Sequence, residues 1–196
     1  MLYFWTMRFS SSLVLLGALI GFCCTMISCN KGKNNPDSCN GSSTRRDVKL
    51  AIDGDAGEID TIAIVATVDS LGGIDLPEAD SDTPRQEIEK QVFSVTGEVH
   101  KLSKHRDGDW KVKLISDNEK YLNCEAPNPG CEFASDSPFY DQFLVVRDWI
   151  ETHQDDLEGK IVTIEGVAFI DIDHKYPRNA AENEIELHPI LDIRFE

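Results

Sequence analysis

Positive charge is scarce in this chain of 196 residues, which has 19 lysines and arginines against 35 aspartates and glutamates and a net charge of −16. An acidic surface repels phosphate backbones and therefore disfavours general nucleic-acid binding, which depends on basic side chains that displace counterions. The densest basic run lies at 101–106. The acidity predicts a soluble surface and argues against nucleic acid as a partner.

Long apolar stretches are also few, and the longest spans residues 11–28, where there is no charged side chain. Arg8 precedes it and polar residues follow it, which is the pattern of a secretory signal peptide. The segment Met26-Ile27-Ser28-Cys29 resembles the lipobox of bacterial lipoproteins. This resemblance implies cleavage after Ser28 and attachment of palmitate-type acyl chains to Cys29.

A lipid on Cys29 would hold the protein on a membrane without a spanning segment, in the cell envelope and outside the cytoplasm. Two alternatives remain open, an uncleaved transmembrane anchor and a freely secreted form, because a span needs only about 18–20 apolar residues. Translation from Met7 would give the signal peptide a more typical basic start than translation from Met1.

Few cysteines remain once the predicted signal peptide, which we also call the leader, is excluded. Of the six cysteines, Cys23 and Cys24 lie in the leader and Cys29 is the lipidation site. Outside the cytoplasm, Cys124 and Cys131 are predicted to form a disulfide across the short Pro- and Gly-containing segment 125–130. Cys39 is then left free or paired with another chain.

The composition of the remaining chain indicates three parts. Residues 29–46 are rich in Asn, Gly and Ser and predict a flexible tether. Residues 47–90 form an acidic extension of uncertain structure that packs on the main domain. Residues 91–196 form that domain, and their patterns are the clearest in the chain.

Alternation of apolar and polar side chains predicts three strands within 91–126 and two long strands at 160–172 and 184–195. Between them a helix is predicted, because its apolar residues recur at spacings of four, three and four: Phe139, Phe143, Val146 and Ile150. This order predicts a mainly β fold with one helix, a five-stranded antiparallel barrel of OB-fold type. An antiparallel α+β sandwich is the competing architecture.

Glycine and proline within the long strands predict local irregularities. Gly97 and Gly166 lie where a small barrel needs sharp coiling or a bulge. Pro189 cannot donate to a strand ladder, so the last strand is expected to be unpaired or bulged there.

Polar side chains that suit a binding site occur in two predicted loops. The first hairpin carries His105, Asp107 and Asp109. The loop between the last two strands carries Asp171, His174 and Asn183, and Glu186 and His188 follow it on one face of the final strand. In OB folds the corresponding loops bind oligonucleotides and oligosaccharides.

The segments HRDGDW, GVAFIDIDH and AENEIELHPILDI resemble a bacterial family of small OB-like domains of unknown function. The resemblance covers residues 91–196 and carries over a set of polar residues: Asp107, Asp109, Asp171, His174, Asn183, Glu186 and His188. The sequence departs from the family pattern at Ile170 and at residues 175–178. The resemblance implies a fold and no established activity.

Three interpretations of these polar residues stay open. They can hydrogen-bond a long loop to the barrel, or bind a ligand or a divalent metal through Asp171, His174, Glu186 and His188. They can also support metal-dependent hydrolysis, although the chain has no nucleophile elbow and no phosphate loop. The sequence favours a binding or interaction module for a protein or glycan over an enzyme.

Overall fold

The structure is a computed structural model that describes residues 44–173 and 179–196. The helices and strands follow in this order: α1 (Thr44–Lys49), β1 (Asp60–Ala66), α2 (Val68–Gly72), β2 (Gln91–Lys104), β3 (Trp110–Ile115), β4 (Tyr121–Ala126), α3 (Tyr140–His153), β5 (Ile161–Ile170) and β6 (Ile185–Phe195). The predicted order of three strands, one helix and two strands is confirmed by β2, β3, β4, α3, β5 and β6.

Five of the strands close into a barrel. Neighbouring strands pair in the order β2, β3, β4, β6, β5, and β5 pairs again with β2. All of these pairings are antiparallel except β4 with β6, which is parallel at Asn123–Glu186 and Cys124–Leu187. A closed five-stranded barrel with a helix between its third and fourth strands is an OB-fold-like architecture. The predicted barrel is therefore confirmed, and the sandwich alternative is wrong because the sheet closes on itself.

Helix α3 packs on the barrel through the face predicted from its spacing. Phe139, Phe143, Val146 and Ile150 are all buried. Val146 and Ile150 join the main core, whereas Phe139 and Phe143 join a second cluster with Val92 and Val167. The helix therefore bridges the barrel interior and the smaller core beside it.

The irregularities predicted at Gly166 and Pro189 are present and face each other. The register between β5 and β6 shifts on both sides of Gly166, which lies opposite Ile190. A Cβ atom at position 166 would lie 2.9 Å from Leu187 Cβ and 3.0 Å from the Pro189 carbonyl oxygen. Gly166 is therefore needed for the close approach of the two strands.

We expect Gly166→Ala to lower the free energy of unfolding by about 1–3 kcal/mol, because the added methyl group overpacks a closed strand pair. Gly97→Ala on β2 is the matched control, since its Cβ would meet no atom closer than 3.5 Å. Urea denaturation of both variants checks this prediction. An equal loss at the two positions would contradict it.

The segment before the barrel is part of the fold. Phe93 pairs with Ile64 of β1 and with Gly166 of β5, so these two strands lie on opposite edges of β2. The 3-10 turn Glu87–Lys90 is tied to α1 by a buried ion pair between Arg45 and Glu89. The predicted extension 47–90 is thus ordered, and the predicted end of the tether at 46 is wrong, because α1 begins at Thr44.

Several predictions fall outside the described residues. These are the signal peptide 1–28, the lipidation site Cys29, Cys39, the tether up to residue 43, and His174 in the loop before β6. Within 44–173 and 179–196, no helix has the length and hydropathy that a membrane span requires.

Candidate functional site

Four ionisable side chains that face away from the barrel interior are nevertheless buried. Asp109 precedes β3, Glu125 lies on β4, and Glu186 and His188 lie on β6. Helix α1 accounts for part of their burial, because the Lys49 carbonyl oxygen lies 2.8 Å from His188 Nδ1. The result is a polar cluster enclosed between α1 and the outer surface of the barrel.

His188 lies between two of the carboxylates. Its Nε2 is 3.5 Å from Asp109 Oδ2 and 3.5 Å from Glu125 Oε2. The second oxygen of Asp109 accepts a hydrogen bond from the Asn128 backbone N–H at 2.7 Å. Asp109 therefore fixes the loop after β4 with one oxygen and faces His188 with the other.

Two lysines supply positive charge to the same cluster. Lys111 Nζ lies 2.6 Å from Glu125 Oε1 and 3.7 Å from Glu186 Oε1. Lys49 Nζ lies 3.2 Å from Glu125 Oε2 and 4.0 Å from Glu186 Oε2. Each ammonium group therefore lies near both carboxylates and reduces their mutual repulsion.

The two glutamates respond differently to this environment. Burial alone would raise the pKa of Glu125, but Lys49 and Lys111 hold it well below its usual range. Burial and the neighbouring negative charge of Glu125 raise the pKa of Glu186. Glu125 is therefore the ionised partner of the lysines, and Glu186 is the carboxyl group that binds a proton more readily.

A pocket of about 490 Å³ lies over this cluster, on the barrel surface formed by β2, β3 and β4. We call it the lysine pocket. Its lining consists almost entirely of polar and charged side chains: Lys49, Lys101, Ser103, His105, Lys111, Lys113, Asn123, Glu125, Asp171 and Asn179. Of the described residues, four lysines and two carboxylates line it, so this lining has an excess of positive charge in a chain whose net charge is −16.

The structure places the predicted ligand residues in different positions. Glu186 and His188 lie in the buried cluster, whereas Asp171 lines the lysine pocket. Of the secondary candidates, His105 also lines the pocket and Asp109 belongs to the cluster. Binding by any of these residues remains a prediction.

Two further candidates have structural contacts. Asp107 Oδ1 accepts the Asp109 backbone N–H at 3.2 Å within the β2–β3 turn. Asn183 Nδ2 donates to the carbonyl oxygens of Leu71 and Ile74 at 2.8 and 2.9 Å. Asn183 thereby ties the loop before β6 to α2, as the structural interpretation of these residues expects.

Sequence reasoning missed Glu125, Lys49 and Lys111. The alternation of β4 contained a signal for Glu125, because it sets Asn123 and Glu125 on the face opposite Leu122 and Cys124. Lys49 had no such signal, since its place in the site depends on how α1 packs against the barrel.

The predicted disulfide between Cys124 and Cys131 is wrong. Cys124 is a free and fully buried thiol within the main core, and burial raises its pKa well above the usual value. Cys131 is disulfide-bonded, but not to Cys124. The two sulfurs are kept apart because Cys124 points into the barrel, whereas Cys131 lies in the following loop near the Asp107 carbonyl oxygen.

Comparison with known proteins finds no matching family model and no matching curated protein. Among solved structures, the chain is similar to the asparaginyl-tRNA synthetase of Entamoeba histolytica in complex with asparaginyl-adenylate, with 14% identity, a TM-score of 0.40, and coverage of 69% of this chain and 24% of that chain. It is also similar to the OBody AM2EP06 bound to hen egg-white lysozyme, with 11% identity, a TM-score of 0.37, and coverage of 53% and 78%. The chain thus spans about a quarter of the length of the synthetase.

Proposed function

We propose that this chain is a lipid-anchored binding protein of the cell envelope whose OB-like barrel takes a small anionic ligand in the lysine pocket. The observation that carries the proposal is the concentration of four lysines in one pocket of a strongly acidic chain. The shared chemistry of the ligand is a carboxylate or phosphate group.

The size of the pocket favours a small ligand. Its volume of about 490 Å³ lies within the range of about 300–1,000 Å³ that is usual for small-molecule sites. Among residues 44–173 and 179–196, its lining contains no phenylalanine, tyrosine or tryptophan on which successive bases would stack. The acidic remainder of the chain would also repel a long polyanion.

The pocket lysines differ in how fully the protein itself neutralises them. Lys49 and Lys111 already pair with Glu125. Lys101 is exposed and forms no ion pair with a described residue. Lys101 is therefore the pocket lysine best placed to pair with an incoming acid group.

Binding is tested by titrating the purified full chain with glucuronate, inorganic phosphate and glucose. Glucuronate and glucose form a matched pair, since they differ by the carboxylate. We expect calorimetry to detect glucuronate or phosphate but not glucose. Lys101→Glu should weaken binding at least tenfold, because a hydrogen bond to a charged group contributes about 1.5–3 kcal/mol.

Lys160→Glu is the control, because Lys160 is exposed and does not line the pocket. Failure of both acids to bind, or equal binding by the two variants, would contradict the proposal. Tight binding of an oligothymidylate through Lys101 would instead identify the ligand as nucleic acid.

The anchoring part of the proposal rests on the residues Met26 to Cys29 and has its own test. Expression in a bacterium supplied with an alkyne analogue of palmitate should label the chain and place it in the membrane fraction. Cys29→Ser should abolish both results, and Cys39→Ser should leave both unchanged. Labelling that survives Cys29→Ser would overturn lipidation at this cysteine.

A further inference from the structure

The buried cluster contains three side chains whose potential metal-ligand atoms lie close together. Asp109, Glu125 and His188 each offer one oxygen or nitrogen, and these atoms all lie within 4.8 Å of one another. They come from the start of β3, from β4 and from β6, so the barrel itself holds them together. All three side chains are buried.

The orientation of His188 is fixed by its backbone partner. A carbonyl oxygen can only accept, so the 2.8 Å contact with Lys49 O places a proton on Nδ1. Nε2 then points into the cluster, and it is fully buried without a hydrogen-bond partner. A histidine held by a backbone carbonyl through one nitrogen, with the other nitrogen directed inward, is the usual arrangement of a metal ligand.

The neighbours of Nε2 are acceptors and not donors. Asp109 Oδ2 and Glu125 Oε2 both lie 3.5 Å away, which is too far for a good hydrogen bond. In the neutral ring the Nε2 lone pair faces two carboxylate oxygens. The lone pair and the two negatively charged oxygens repel one another, and a cation bound between these three atoms would remove that repulsion.

We propose that Asp109, Glu125 and His188 form a binding site for a divalent transition metal ion of the Zn²⁺ class. Zinc bonds to nitrogen and oxygen of about 2.0–2.1 Å place neighbouring tetrahedral ligands about 3.3–3.4 Å apart. The two separations from His188 Nε2, both 3.5 Å, match that spacing closely, and the carboxylate oxygens of Asp109 and Glu125 lie within 4.8 Å of each other. Three protein ligands leave a fourth position for water or an acid group.

The surrounding groups hold the ligands in place. The Asn128 backbone N–H fixes the second oxygen of Asp109, and Lys111 fixes Oε1 of Glu125. Lys49 Nζ lies 3.2 Å from Oε2 of Glu125, the same oxygen that faces His188. Lys49 therefore competes with the ion for this oxygen, and its removal should strengthen metal binding.

The site is tested by measuring Zn²⁺ bound to the full chain and the absorption spectrum of bound Co²⁺. Asp109→Asn keeps an oxygen for the Asn128 N–H, and His188→Gln keeps a polar group of similar length. Each variant should lose one equivalent of Zn²⁺ and the tetrahedral Co²⁺ bands. Zinc bound elsewhere in the chain would remain in all variants, so it does not affect the difference in zinc content between each variant and the unchanged chain.

His100→Gln provides the matched control, because His100 is exposed on β2. Lys49→Met should bind Zn²⁺ more tightly than the unchanged chain, a gain that loss of a structural ion pair would not produce. Equal zinc content in the His100, Asp109 and His188 variants would overturn the proposal. An imidazolium at His188 that persists with equimolar Zn²⁺, seen in ¹⁵N spectra, would identify a proton as the occupant.

The metal site shares Glu125 with the lysine pocket, but it does not depend on anion binding at Lys101. Lys101→Glu leaves all three ligands in place, so metal binding should persist in that variant. Loss of anion binding with intact zinc binding in Lys101→Glu would show that the two binding activities are separate. Loss of zinc binding with intact anion binding in Asp109→Asn or His188→Gln would show the same.

Discussion

Arg45→Met is expected to lower the free energy of unfolding by about 3–5 kcal/mol, because it leaves the Glu89 carboxylate buried without its counter-ion. Arg45 and Glu89 are 2% and 0% exposed. The guanidinium group also donates to the Ile170 carbonyl oxygen at 2.7 Å and lies 4.5 Å from the centre of the Phe169 ring. The substitution therefore also removes both of these contacts between α1 and β5.

The neighbouring residue provides a control for this prediction. Arg46→Met removes the same charge from the same helix, but Arg46 forms no ion pair with a described residue, and its loss should cost less than about 1 kcal/mol. Urea denaturation of the full chain measures both values. Comparable losses in the two variants would show that α1 is not docked through Arg45.

Phe143→Ala should have an effect of similar size, about 3–5 kcal/mol, because it empties a fully buried aromatic site. Phe143 is 0% exposed and joins α3 to the second core cluster. The next residue, Leu144, is 45% exposed, so Leu144→Ala should cost less than about 1 kcal/mol. If the two losses are equal in chemical denaturation, α3 does not pack through its predicted face.

The barrel was predictable from the sequence because its signals are local. Alternation marks β2, β3, β4, β5 and β6, and the face of α3 follows from Phe143 and its helical neighbours. Gly166 and Pro189 marked the place where the last two strands depart from regular pairing. Each of these signals lies within a single element, so no knowledge of tertiary contacts is required.

The burial of the polar cluster was not predictable in the same way. Alternation sets Glu186 and His188 on the outer face of β6, where water would be the expected neighbour, yet each is 1% exposed. The covering element is α1, which has only six residues and overlaps a segment whose composition is that of a tether. Its docking depends on long-range contacts such as Arg45 with Glu89, which are 44 positions apart.

The disulfide predicted between Cys124 and Cys131 is wrong because the direction of a side chain depends on strand geometry. Spacing in sequence suggested that Cys124 and Cys131 are neighbours, but the alternation of β4 decides which way Cys124 points. Because Leu122 and Cys124 share the interior face, the Cys124 thiol is directed into the core. Strand geometry therefore outweighs proximity in the chain.

The most direct test of anion binding in the lysine pocket is a two-dimensional ¹H–¹⁵N NMR titration of the full chain with glucuronate and with glucose. Glucuronate should shift the backbone signals of β2 and β3 around Lys101 and Lys113, and leave the far end of α3 unchanged. Glucose should shift none of them. Shifts that are absent with glucuronate, or identical for the two sugars, would contradict the account.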